Sequence, residues 1–74
     1  MKSKNVFFKK MLWRNKNSCL YQAIDEKSHT MNIIFRDQFP PVFPDDIPYI
    51  VEGYFNKNQF ESVYWCRKSE YFTS

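Results

Sequence analysis

One glycine, one histidine and two cysteines occur in 74 residues, and each scarcity excludes something. A lone glycine, Gly53, cannot form a phosphate-cradling glycine loop. The cysteines, Cys19 and Cys66, lie far apart without a third or fourth partner, so neither a zinc site nor a disulfide framework follows. They are expected to be buried free thiols in a reducing compartment. His29 has no cluster of ligands or acid–base partners nearby in the chain and reads as an exposed turn residue. Asp45-Asp46, in a proline-bounded stretch, reads as a turn cap, since two adjacent carboxylates supply too few metal ligands. No nucleophile–base–orienter set is visible. The chain is expected not to be an enzyme and to need no cofactor.

Long apolar runs are also missing. The N-terminal MKSKNVFFKKMLW begins basic, but Lys9 and Lys10 interrupt its apolar residues after three positions. No signal-peptide core forms, and no segment has transmembrane length. The expectation is a cytoplasmic protein without membrane contact.

Acids are absent from residues 1–24, which hold Lys2, Lys4, Lys9, Lys10, Arg14 and Lys16 for a charge of +6. Residues 25–53 carry six acids against Lys27 and Arg36, for −4, and residues 54–74 carry +1, so the net charge is +3. A basic third beside an acidic middle predicts a two-faced surface able to steer a polyanion to one side. A modest charge serving solubility alone is the plainer alternative.

Aromatic residues are plentiful, at 20% of the chain, which lets a short sequence assemble a core from few side chains. Five strand-like stretches follow from β-branched and aromatic content and from alternation. They are residues 5–14, 19–25, 29–36, 49–55 and 60–67. In the first, apolar residues occupy both parities, so its inner face is not assigned. Asparagine-bearing turns separate strands, asparagine tolerating the left-handed backbone that glycine would otherwise supply. All four prolines fall within Phe39–Tyr54, where sheet pairing must stop. Only Phe39–Ile47 has room for a helical turn. The tail, KSEYFTS, either extends the last strand or packs its aromatics back.

Three strands, a rigid crossing and two more strands predict an all-β domain spanning 1–74: a small five-stranded, OB-like Greek-key barrel. Closure removes edges that so short a chain could not cover. An SH3-like barrel is the competing layout. Phe39, Val42 and Phe43 are expected to plug one end.

From Leu20 onward the sequence resembles the haem-chaperone family of bacterial cytochrome c maturation (protein E), an OB-fold. The matching pieces are Tyr21-Gln22-Ala23-Ile24-Asp25, Met31-Asn32-Ile33-Ile34-Phe35, Phe39-Pro40-Pro41-Val42-Phe43, Val51-Glu52-Gly53 and Phe60-Glu61-Ser62. The run from Phe39 to Gly53 aligns without a gap. Where that family carries its haem-attachment histidine, this chain reads Arg67-Lys68-Ser69-Glu70, and no counterpart of the family's N-terminal anchor is expected. The resemblance implies the barrel, with a haem or small-ligand carrier as the weakest functional reading. It also implies facing. Cys19, Tyr21, Ala23, Met31, Ile33 and Phe35 point inward, while Leu20, Gln22, Ile24, Asn32, Ile34 and Arg36 point outward.

Two binding surfaces emerge. Lys9, Lys10, Trp13, Arg14 and Lys16, joined by Gln22, Asn32 and Arg36, form a basic and aromatic set suited to single-stranded DNA or RNA. The cations meet phosphates and the ring stacks on bases. On this reading Asp45, Asp46 and Glu52 lie away from the bound polyanion. The alternative for the same residues is that Trp13 is core and the lysines protect a strand edge. Leu20, Ile24 and Ile34, apolar yet outward, predict instead a protein-docking face, as in an adaptor or inhibitor of phage or mobile-element type.

Overall fold

Alternation of apolar and polar residues yields five strands: β1 (Lys2–Arg14), β2 (Ser18–Asp25), β3 (Thr30–Arg36), β4 (Tyr49–Asn56) and β5 (Gln59–Arg67). The structure, a computed structural model, describes residues 1–72. The strands close in the order β1-β2-β3-β5-β4, with β4 returning to β1. All neighbours are antiparallel except β3 and β5, which run parallel. That parallel pair needs a crossover, and the proline-rich segment before β4 begins it. The small all-β barrel of five strands expected from the sequence is the observed architecture.

Alternate residues of every strand fill one core. Val6, Phe8, Cys19, Tyr21, Ala23, Ile33, Phe35, Tyr49, Val51 and Phe60 are buried in it, with Met31 packed against its margin. The inward set expected for the second and third strands is thus the observed one. Both cysteines are free, Cys19 buried and Cys66 half-buried.

β1 owes its mixed parity to two β-bulges. Register jumps between Phe8 and Lys10 and again between Met11 and Trp13, leaving Lys9 and Leu12 unopposed. Each extra residue inverts which parity faces inward. Phe8 consequently enters the core opposite Ala23, while Lys10 and Trp13 face outward opposite Gln22 and Leu20.

Three expectations about connections are corrected. The left-handed backbone positions are Ser28, Asp37 and Lys57, with no asparagine among them. Asn15 shapes its turn through its side chain, its Oδ1 accepting from the backbone N–H of Asn17 and of Ser18 at 2.9 Å each. The crossing forms no helical turn; its Asp45 and Asp46 occupy a simple turn. The one short helix, α1 (Lys68–Tyr71), lies instead in the tail. Finally, only Phe43 plugs the barrel. Phe39 and Val42 are exposed, Val42 almost completely at 91%.

The tail does pack back. The Lys68 N–H donates to the Pro48 carbonyl at 3.0 Å, and the Tyr71 hydroxyl donates to Glu52 Oε2 at 2.6 Å. Thr73 and Ser74, the end of that tail, lie outside the described residues.

Candidate nucleic-acid interface

The bulges in β1 decide what the outer face contains. By register, one row runs Lys10, Gln22, Asn32, Gln59, Asn56 across all five strands. The next row along runs Trp13, Leu20, Ile34, Glu61, Tyr54. With neighbouring strands about 4.8 Å apart, each row runs about 19 Å along the curved outside of the closed barrel. Exposed rings stand at both ends of the second row, Trp13 at 40% and Tyr54 at 50% of full exposure.

Of the eight residues expected to contact a strand, Lys10, Trp13, Gln22, Asn32 and Arg36 share this face. The other three do not. Lys9 occupies a bulge, its Nζ within 5.8 Å of the Phe7 ring centroid and 3.5 Å from the Asp45 carbonyl oxygen. Asp45 therefore lies beside a basic residue, contrary to the expected separation of charges. Glu52 is held on another side, by Tyr71. Arg14 pairs with Cys19, on the inward parity, and caps the barrel end with its guanidinium 4.6 Å from the Phe39 ring centroid. Lys16 sits exposed in the β1–β2 turn, beyond the rows.

The apolar docking face is corrected more sharply. Leu20 and Ile34 do point outward, but they are only 5% and 3% exposed. They stand directly opposite one another, a pairing that buries both side chains against each other. Trp13 and Glu61 flank them across the strands, and Gln22, Asn32 and Arg36 along them. Ile24 is half-buried opposite Phe7. These residues form the floor of the face rather than a sticky surface on it.

Arg36 does not stand free. Its Nε donates to Glu61 Oε1 at 2.6 Å, with the arginine side chain 58% and the glutamate 14% exposed. The positive charge expected at this position is therefore already paired with a carboxylate.

Gln59, Asn56, Tyr54 and Lys57 complete the site; strand and turn signals alone give these four no functional role. Asn56 and Gln59 are the terminal pair of the β4–β5 ladder. With Arg36, Lys57 and Asn58 they line an open polar cavity of about 380 Å³. A lysine and three amides within four residues is the signal the sequence carries for it.

Among the described residues no group of three or more His, Cys, Asp or Glu side chains converges as a metal site would require. No helix there is long and apolar enough to cross a membrane. Compared with protein-family models, curated proteins and solved structures, the chain matches none. The haem-chaperone resemblance rests on the residues quoted for it.

Proposed function

We propose that this barrel is a non-enzymatic cytoplasmic module that binds single-stranded DNA or RNA across the outer face of β1, β2 and β3. The observation that supports it most is the register. Two bulges turn Lys10 and Trp13 onto the same face as Gln22, Asn32 and Arg36, although the sequence spacing alone does not align them. Lys16 and Lys57, on the β1–β2 and β4–β5 turns, border this face, and OB-type barrels bind oligonucleotides with the corresponding strands and loops. Cations would capture the phosphates, and Trp13 and Tyr54 would stack on bases, each stack contributing about 1–3 kcal/mol.

Fluorescence anisotropy with a labelled oligonucleotide of about 12 nucleotides, inside the span of one such barrel, tests this. Micromolar or tighter binding at low salt is expected, weakening steeply as salt rises. Trp13→Ala combined with Lys10→Ala should reduce it by at least tenfold. No binding at low salt overturns the proposal.

A protein-docking module is the second reading, and one observation favours it on different residues. Val63 and Tyr64 on β5 are each about half exposed. A pull-down that recovers one stoichiometric protein after nuclease treatment, and loses it with Val63→Lys, would select this reading over the first.

A further inference from the structure

We propose that the outer face reads base edges, and that its preferred ligand is a single strand rich in adenine; the inference rests on the nucleic-acid reading above. It comes from the row of Gln22, Asn32, Gln59 and Asn56, with Lys10 at its β1 end. Four side-chain amides occupy successive strands, three of them half-buried. None of the four hydrogen-bonds to another described residue. Each keeps an unused carbonyl acceptor and two unused N–H donors.

A surface made only to hold phosphates needs donors alone, because phosphate oxygens accept. The carbonyl half of every amide would face a polyanion with nothing to receive. A base edge uses both halves. Adenine presents the N6 amino donor beside the N7 acceptor, and an asparagine or glutamine amide meets both at once. Single strands expose these edges because their bases are splayed from any stack. Strand-borne side chains suit such readout, since the sheet fixes where they begin.

Glu61 narrows the choice of base. Its carboxylate lies in the adjoining row, opposite Tyr54 and next along β5 from Gln59 on this face. Its Oε1 is held by Arg36 at 2.6 Å, and Oε2 is left to accept from an exocyclic amino group and to repel the keto oxygen that every base except adenine carries. Of the three amino-bearing bases adenine alone carries no keto oxygen, and its purine offers a larger ring system than cytosine to Trp13 and Tyr54.

Three labelled oligonucleotides of about 12 nucleotides, all adenine, all thymine and all 7-deazaadenine, provide the test with the intact chain. The adenine strand is expected to bind at least tenfold tighter than the thymine strand. The 7-deaza strand keeps the stacking area but lacks the N7 acceptor, and should lose most of that advantage. Asn32→Ala should shrink the adenine preference, weakening adenine binding by a larger factor than thymine binding. Equal binding of adenine and thymine overturns the inference and leaves the binding function standing. A preference that survives the 7-deaza replacement also overturns it, because stacking then accounts for it. Failure of every strand at low salt removes the function itself.

Discussion

The ring of Phe43 lies flat on that of Phe8, centroids 3.9 Å apart and planes within 15°. Phe43 comes from the crossing and Phe8 from β1, so this stack ties the one long irregular segment to the barrel. Tyr21 and Tyr49 meet Phe43 edge-on at 5.2 and 4.8 Å, the arrangement aromatic quadrupoles favour. Truncation at this position removes the plug and leaves a cavity. Phe43→Ala is expected to cost about 3–5 kcal/mol, comparable with the whole stability that a single core of this size supplies. Urea denaturation followed by tryptophan fluorescence should find the variant largely unfolded in water. A loss below about 1 kcal/mol would show that the plug is dispensable.

Gly53 sits at the register irregularity between β4 and β5, opposite Ser62. A Cβ there would overlap the backbone carbonyl oxygen of Glu61 and press on the Phe60 ring. Neither neighbour can swing aside, since one is backbone and the other is fully buried. Gly53→Ala should therefore destabilise the barrel by about 3 kcal/mol, at the upper end of overpacking. Because the strain falls on Glu61, residual folded protein should also bind oligonucleotide with altered affinity. A variant as stable as the parent by thermal denaturation would refute the close approach.

The barrel is legible in the sequence because strand signals are local: β-branched and aromatic runs, short polar turns and one proline block. What stays hidden depends on register. The bulges at Lys9 and Leu12 leave no mark in alternation beyond the mixed parity of that stretch, so residue types alone nominate Trp13 and Lys10 without fixing the face they occupy. Leu20 and Ile34 point outward as expected, yet they are covered, because each buries the other across the β2–β3 pair. Gln59 and Asn56 resemble turn residues, and only the parallel β3–β5 pairing aligns them with Asn32. The tail helix is a single turn, too short to produce periodicity.

Asp25 is expected to contribute an acid-sensitive part of the stability. Its carboxyl is held below its ordinary value of 3.8, chiefly by the backbone N–H of His29, with the N–H of Lys27 and nearby positive charge adding to the effect. Both N–H groups donate to Oδ1, at 2.8 and 2.9 Å. A depressed folded-state value means that the stabilisation is complete above the unfolded value and disappears as pH falls through the folded one. The relevant window therefore lies below about pH 4. Asp25→Asn keeps an oxygen acceptor but cannot titrate. Denaturation midpoints measured from about pH 5 down to pH 2 should fall more steeply for the parent than for this variant. Parallel curves would exclude the contribution.

On the proposed nucleic-acid reading, Glu61 would restrain the outer face electrostatically. Its carboxylate engages Arg36 at 2.6 Å, so a phosphate approaching this guanidinium must compete with an acceptor already in place. Glu61→Gln retains an oxygen for the hydrogen bond and removes the charge. Stability should change by less than about 1 kcal/mol, as is usual for a pair with an exposed arginine. Binding of a thymine oligonucleotide should strengthen several-fold at low salt. The slope of log affinity against log salt should steepen by about 0.7, the increment for one more phosphate contact on a single strand. Adenine preference should narrow at the same time, since the variant no longer repels keto oxygens. The double variant Glu61→Gln with Arg36→Gln should return the salt slope to that of the parent, because in the parent Arg36 is already engaged by Glu61. A Glu61→Gln protein with unchanged affinity and slope would place the polyanion away from Arg36, and with it away from this end of the face.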